Sequence, residues 1–331
     1  MTTTRMRLSP FRFTSPAPAR PLGVDRTIEL EIDGTRQRLR LCAARDGLPP
    51  VLVVQAGPGL PLLNEVPKFQ QRLKLEQNFQ VAYWDQRGCG SASSRDRQGL
   101  TLSTQVEDLC FVLRWLAAET GQKVVVLGIS LGATVALLAA NRVAHCIKSL
   151  VLVSVDTDAV ASDSAVHSFL RRQAAKPENH KMAEQYARLG APPYLAPAPF
   201  QLRARLLVDL GVIEKATRFG PLLREMIASL VRNYGWVGAA RALRNMNAIQ
   251  AAMLPELARL DLFAHWPQPA PPVHYVFGKN DPLAPPALVR KVLGTLHHED
   301  SLATLADAGH MAHFDDPAAI RALIAQAHAA D

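Results

Sequence analysis

Short apolar runs alternate with helical patterns through the first half of the chain. Four runs with the length and composition of buried strands lie at residues 51–54, 80–84, 123–127 and 149–155. Residues 104–120 and 134–141 place apolar side chains at helical spacing between or after those runs. Strands that alternate with helices predict an α/β fold built on a mostly parallel, doubly wound sheet.

Two further strand signals flank this region. An alternating apolar and polar pattern around Asp33 and Gly34 predicts a β-hairpin. The strand signal returns after Pro272, and is followed by a helix from Pro286, a short strand near Leu302 and a terminal helix from Pro317.

The alternation stops at residues 158–262, which have the pattern of amphipathic helices separated by Pro and Gly clusters. We interpret this stretch as a helical cap inserted into a core formed by residues 25–157 and 263–331. The Pro- and Arg-rich residues 1–24 are expected to form an N-terminal tail.

Composition narrows the function classes. The chain of 331 residues is 48% hydrophobic and 20% charged, with a formal net charge of +8. No apolar run reaches the ~18 residues that span a bilayer, which favours a soluble, cytoplasmic protein without a membrane partner. Residues 158–262 hold 14 Lys and Arg against 9 Asp and Glu. No basic stripe with interleaved aromatic residues accompanies this charge, so nucleic acid is not an expected partner.

The cysteines give no sign of a metal or disulfide framework. They form no Cys-x-x-Cys pair and are scattered through apolar segments at Cys42, Cys89, Cys110 and Cys146. We expect reduced, packed thiols. Neither a metal nor an organic cofactor is expected.

The strongest chemical signal is a G-x-S-x-G motif between a predicted strand and a predicted helix. It spans residues 128–132 and places Ser130 at its centre. A sharp strand-to-helix turn of this kind holds a serine hydroxyl above the sheet as a nucleophile. The backbone N–H of Leu131, at the helix N-terminus, is the first expected oxyanion donor.

A serine nucleophile needs a base and an acid that orients it, in the chain order Ser, acid, His. Asp281 follows a predicted strand and is our candidate acid, and His310 follows a short strand and is our candidate base. Either could instead have a structural role, as a turn former or a backbone-bonded histidine. The nearby competitors are His313, Asp307, Asp315 and Asp316.

The second oxyanion donor is expected in the loop after the first core strand, which carries a Gly-Pro-Gly turn. Gly57 is the candidate, because a residue without a Cβ lets substrate approach its amide. Ala56 is the alternative donor.

Three motifs together resemble the ordered series of the proline iminopeptidase branch of the α/β-hydrolases. QAGPG, WDQRGCGSA and GISLG in this chain are similar to the HGGPG, DQRGxGxS and GGSWG of that family. The matching positions are Gly57, Pro58, Gly59, Asp85, Gln86, Arg87, Gly88, Gly90, Gly128, Ser130 and Gly132. The resemblance covers the predicted core, and it implies an α/β-hydrolase fold with the same nucleophile and oxyanion loop.

The chain departs from that family at several positions. Gln55, Ala56 and Leu131 replace its His, first Gly and Trp, and residues 158–262 lack its Trp-x-x-Trp-Glu segment. Three cap carboxylates could still converge on a substrate ammonium, namely Glu184, Glu214 and Glu225, although solvated pairing with Arg is the simpler interpretation. Tyr234 and Trp236 could line a pocket, but core packing is the expectation for both.

We therefore predict a serine hydrolase that cleaves a small ester or amide through an acyl-enzyme. A proline iminopeptidase-type aminopeptidase is the alternative, and a non-catalytic receptor for a small molecule is an alternative from another class. Acyl transfer to an alcohol is a third. The segment Asp85-Gln86-Arg87 is expected to brace the loop beneath the site. Substrate identity and oligomeric state stay open.

Overall fold

A computed structural model describes residues 23–90 and 99–329. Within them the chain forms one sheet of eight strands in the order β1-β2-β4-β3-β5-β6-β7-β8. The strands are β1 (Val24–Ile32), β2 (Thr35–Ala43), β3 (Pro50–Val54), β4 (Gln80–Asp85), β5 (Val124–Ile129), β6 (Ile147–Val153), β7 (Val273–Gly278) and β8 (Ser301–Leu305).

Helices connect the strands and cover the sheet. They are α1 (Val66–Leu73), α2 (Leu102–Thr120), α3 (Leu131–Ala139), α4 (Ala159–Ala174), α5 (His180–Ala187), α6 (Pro197–Asp209), α7 (Phe219–Leu257), α8 (Pro286–Leu293), α9 (Ala312–Asp315) and α10 (Pro317–Ala329). Among residues 23–90 and 99–329, none of the helices combines the length and the hydrophobicity that a membrane span requires.

Strands β3 to β8 pair in parallel, whereas β1 pairs antiparallel with β2 and β2 with β4. The predicted α/β fold with a mostly parallel sheet is therefore confirmed. The hairpin turn at Asp33 and Gly34 has positive φ at both residues, as a two-residue turn that matches strand twist requires. Sequence reasoning missed α1, although Pro67 in its first turn and the helical spacing of buried Val66, Phe69 and Leu73 were usable signals.

The core lies on both faces of the sheet. Along β3, Leu52 and Val54 pack into one apolar layer, and Val51 and Val53 pack into the other. All four are fully buried, which explains why the parallel strands have continuous rather than alternating apolar sequences. The four cysteines are buried, free thiols, as expected.

Helices α4 to α7 lie between β6 and β7, in the stretch interpreted as a cap. α7 is interrupted at Gly235, whose φ of 67° and ψ of 173° are not helical. The division into core and cap stays a prediction. The predicted tail falls outside the described residues except for Gly23 and Val24, and β1 begins at Val24.

Candidate active site

Ser130 lies in a strained turn between β5 and α3. Its φ is 51°, a region that non-glycine residues rarely adopt. The glycines around it permit close packing, because a Cβ on Gly128 would lie 2.7 Å from Ala133 Cα and a Cβ on Gly132 would overlap Val54 O. The turn therefore brings the first turn of α3 against β3 and holds the Ser130 side chain above the sheet.

The structure brings the three predicted side chains together. His310 Nε2 lies 2.9 Å from Ser130 Oγ, and His310 Nδ1 lies 2.7 Å from Asp281 Oδ2. All three residues are buried. The arrangement has the order of contacts that proton transfer from a serine through an imidazole requires.

The surrounding charges favour a proton on His310. Burial acts to lower the pKa of His310, but the charge and hydrogen bond of Asp281 and the charge of Asp156 outweigh it and raise the pKa. Asp281 is itself held by the backbone N–H of Leu283, which donates to Asp281 Oδ1 across 2.9 Å. An imidazolium formed during reaction would be stabilised by these carboxylates.

The competing residues have other roles. His313 is buried and stacked on Phe69, and burial lowers its pKa to about 3. Asp307 is exposed. Asp315 accepts hydrogen bonds from Gly309 N and Lys215 N, and Asp316 accepts one from Ala319 N. None of these four residues hydrogen-bonds to the Ser130 hydroxyl or to the His310 ring, whose partners are Asp156, Asp281 and each other.

The two candidate oxyanion donors lie side by side. Gly57 and Leu131 both line the cavity above Ser130. A Cβ on Gly57 would lie 3.2 Å from Leu131 Cδ2, so the position favours glycine. The amide of Ala56, the alternative donor, donates to Gln55 Oε1 across 3.2 Å. Ala56 also lines the cavity, so the choice of Gly57 as the second donor stays a prediction.

In the Asp85-Gln86-Arg87 segment, Asp85 bonds to a neighbouring loop and Arg87 bonds to helix α2. Asp85 Oδ1 accepts from the backbone N–H groups of Leu62 (2.6 Å) and Leu63 (2.9 Å). Arg87 forms a bidentate ion pair with the carboxylate of buried Asp108. Neither Asp85 nor Arg87 lines the cavity, which agrees with the structural role expected for this segment.

A cavity of about 630 Å³ opens above Ser130. Most of its wall is aliphatic, with contributions from α6, both halves of α7 and the loops after β3 and β6. The three glutamates that could have converged on a substrate ammonium do not line it. Glu184 and Glu225 are exposed, and Glu214 is buried in an ion pair with Lys68 (2.7 Å).

The aromatic candidates do not line the cavity either. Trp236 is 77% exposed, so the expectation of core packing was wrong for it. It follows the break at Gly235, which turns the chain away from a regular helix. Tyr234 is partly buried, and its hydroxyl lies 3.4 Å from Asp85 Oδ2.

Sequence reasoning missed Asp156. This residue follows β6, lines the cavity, and places its Oδ2 3.2 Å from Ser130 Oγ. Burial raises the pKa of Asp156, and His310 and the Ser130 hydroxyl oppose that effect. Its position just after a buried strand was a usable signal, because the carboxyl ends of parallel strands gather functional groups at one edge of the sheet.

Comparison with known proteins agrees with the fold. The model of the alpha/beta hydrolase family matches residues 51–323. The chain therefore belongs to the alpha/beta hydrolase family. A curated relative, the probable aminopeptidase YbaC of Bacillus subtilis (strain 168), is 24% identical over 296 residues, which cover 87% of this chain and 92% of the relative.

Solved structures of different hydrolases share the fold. The proline iminopeptidase of Mycobacterium smegmatis superposes with a TM-score of 0.64 at 18% identity, covering 92% of this chain and 98% of its own. An esterase from Exiguobacterium antarcticum superposes with a TM-score of 0.59 at 16% identity, covering 93% and 100%. At these identities the likeness concerns the fold alone.

Proposed function

We propose that this protein is a serine hydrolase that cleaves a small ester or amide through an acyl-enzyme. The observation that supports it best is the pair of contacts made by His310, at 2.9 Å from Ser130 Oγ and 2.7 Å from Asp281 Oδ2. Family membership and a cavity directly above Ser130 agree with this function.

In the proposed mechanism, Ser130 Oγ attacks the substrate carbonyl carbon while His310 Nε2 accepts the hydroxyl proton. Asp281 accepts a hydrogen bond from His310 Nδ1–H and stabilises the imidazolium. The Leu131 and Gly57 amides donate to the oxyanion, and His310 then passes its proton to the leaving group.

The resulting ester on Ser130 is cleaved by the same groups. His310 accepts a proton from a water molecule, whose oxygen attacks the acyl carbon, and Ser130 regains its proton as the acid leaves. The aliphatic wall of the cavity excludes bulk water and strengthens the interactions around the reacting atoms. No step of this proposal uses a metal or an organic cofactor.

The test is Ser130→Ala, assayed with short naphthyl esters and with a fluorophosphonate that labels nucleophilic serines. We expect a loss of kcat/KM of about 1,000-fold or more and loss of labelling. Ser154→Ala is the matched control, because the Ser154 hydroxyl is buried with no hydrogen-bond partner among the described residues. Full turnover by Ser130→Ala would refute the proposal.

An aminopeptidase activity is the second candidate, favoured by the curated relative named as a probable aminopeptidase. The net positive charge of residues 158–262 does not exclude it, because the ionisable residues that line the cavity include three carboxylates, Asp156, Asp158 and Asp163, and one guanidinium, Arg203. Comparing proline naphthylamide with short naphthyl esters separates the two activities. Amide turnover within tenfold of ester turnover would favour the peptidase.

A further inference from the structure

The hydroxyl of Ser130 faces two acceptors. His310 Nε2 lies 2.9 Å from Ser130 Oγ, and Asp156 Oδ2 lies 3.2 Å from the same atom. A hydroxyl has one proton, so it donates fully to one acceptor at a time. When the Ser130 hydroxyl points to a charged Asp156, it does not point to the proposed base.

Asp156 is held in this position by its backbone. Thr134 Oγ1, on α3, donates to the Asp156 carbonyl across 2.7 Å. The helix that carries Ser130 at its N-terminus therefore also fixes the backbone of Asp156, so the distance between the two side chains is a property of the fold rather than of a free loop.

The other carboxylates of the cavity are already occupied. Asp163 pairs with Arg203. Asp158 caps α4 by accepting from Ala161 N (2.9 Å) and lies 3.7 Å from Lys291 Nζ. Among the described residues, Asp156 has no Lys or Arg within ion-pair distance, and its side chain hydrogen-bonds to the Ser130 hydroxyl. The charge of Arg203 acts on Asp156 from further away, and Arg203 itself is paired with Asp163.

The position suits a cation attached close to the scissile carbonyl. A nitrogen on the adjacent carbon lies about 2.5 Å from the carbonyl carbon, given standard bond lengths and angles. The attacking oxygen lies roughly 3–3.5 Å from that carbon before reaction. A carboxylate in contact with the attacking oxygen can therefore also reach that nitrogen.

We propose that Asp156 is a cation-binding subsite that selects substrates with an ammonium group on the carbon next to the scissile carbonyl. When the ammonium binds Asp156, the Ser130 hydroxyl donates its hydrogen bond to His310 instead. Binding of the substrate therefore places the nucleophile and its base in the reactive arrangement. This inference rests on the proposed function, because it requires Ser130 to be the nucleophile. The inference predicts that an ammonium group on the substrate raises kcat as well as lowering KM.

The test uses two esters that differ in one group. Alanine 2-naphthyl ester carries an ammonium where isobutyric acid 2-naphthyl ester carries a methyl group, and the leaving group is the same. For the full-length wild-type protein at pH 7.5, we expect kcat/KM to be at least about tenfold higher for the alanine ester, the usual effect of one charge-assisted hydrogen bond. In Asp156→Asn and Asp156→Ala, the ratio should fall at least about tenfold below the wild-type value. Comparing the variants with wild type removes the higher intrinsic reactivity of an ester that carries an ammonium next to its carbonyl.

The ratio of the two esters cancels any general loss of activity or folding in the variants. Asp158→Asn removes a different charge from the same cavity, and its ratio should stay at the wild-type value. An equal fall in that variant would assign the effect to general cavity charge and overturn the inference. A ratio that stays at the wild-type value in both Asp156 variants, or a wild-type ratio near 1, would overturn the subsite. If Ser130 of the same proteins still labels with fluorophosphonate, the hydrolase proposal is left standing.

Discussion

The backbone N–H of His310 donates to the carbonyl of Val212 across 2.9 Å, so the proposed base is tied directly to the segment between α6 and α7. The next residue repeats the contact, with Met311 N donating to Ile213 O across 2.7 Å. Ile213 and Met311 also line the cavity. The position of the base and the shape of the cavity therefore depend on the same short stretch of chain.

Asp315 also links the segment between α6 and α7 to the residues around His310. Its carboxylate accepts hydrogen bonds from Gly309 N (2.8 Å) and Lys215 N (2.9 Å). Asp315→Ala leaves both amides without their acceptor, at a cost of about 1–3 kcal/mol for each amide that stays buried. We expect a lower melting temperature and about a tenfold loss of kcat/KM on a neutral ester, with slower fluorophosphonate labelling.

Two variants make this prediction specific. Asp315→Asn keeps a carbonyl oxygen for one amide and should lie between the wild type and Asp315→Ala. Asp316→Asn changes the adjacent carboxylate, which caps α10 through Ala319 N, and should leave labelling unchanged. If Asp315→Ala loses stability but labels at the wild-type rate, the contact supports the fold and does not position His310.

The acid limb of the pH profile should report His310. Because Asp281 and Asp156 raise the pKa of His310 above its usual 6.5, kcat/KM on a neutral ester should fall with a midpoint above pH 6.5 as His310 gains its proton. Asp156→Asn removes a negative charge that favours the imidazolium. The midpoint should therefore move to lower pH.

The measurement is kcat/KM between pH 5 and 9, with Asp307→Asn as the control because that carboxylate is exposed. A wild-type midpoint below 6.5, or the same midpoint in Asp156→Asn, would contradict the charge distribution described for the site.

Local patterns predicted the strands and the turn at Ser130 because each depends on residues close in sequence. Asp281 and His310 lie far from Ser130 in sequence and were predicted from their chain order after strand signals. The buried runs of β3 and β5 mark parallel strands, and the glycines beside Ser130 mark the turn. The position of Asp156 after a strand was visible in the sequence, but its contact with Ser130 depends on β6 lying beside β5. The contact between Asp315 and Lys215 joins residues 100 positions apart, and no local sequence pattern indicates it.

The packing of Gly132 against β3 gives a prediction about stability. A Cβ at that position would overlap the carbonyl oxygens of Val54 and Gln55. These are backbone atoms, so no side-chain rotation can relieve the overlap. Gly132→Ala should destabilise the protein by about 1–3 kcal/mol, as overpacking does, and should displace Ser130 enough to lower fluorophosphonate labelling. Gly220→Ala is the control, because a Cβ there meets nothing within 4 Å.

The measurements are urea unfolding and labelling rate, made on both variants. Gly220→Ala lies in α7, where alanine favours the helix, and it should be neutral or slightly stabilising. Equal behaviour of the two variants would show that the close approach of α3 to β3 is not required.

Asp85 gives a prediction about pH and stability. It is fully buried, and burial raises its pKa to about 6 against the opposing hydrogen bonds from Leu63 and Leu62. The folded chain therefore binds this proton more tightly than the unfolded chain, whose pKa is near 3.8. The stability that Asp85 contributes is fully present below pH 3.8 and is lost as pH rises through 6.

Asp85→Asn keeps an oxygen for the Leu62 and Leu63 amides and removes the buried charge. Its free energy of unfolding relative to wild type should rise by up to about 3 kcal/mol between pH 4 and pH 7, since each pKa unit is worth about 1.4 kcal/mol. Asp85→Ala removes the acceptor as well, so it should be less stable than Asp85→Asn at every pH. Urea unfolding at pH 4, 5, 6 and 7 measures both differences. A constant gap between wild type and Asp85→Asn would show that the pKa of Asp85 is the same in the folded and unfolded chains.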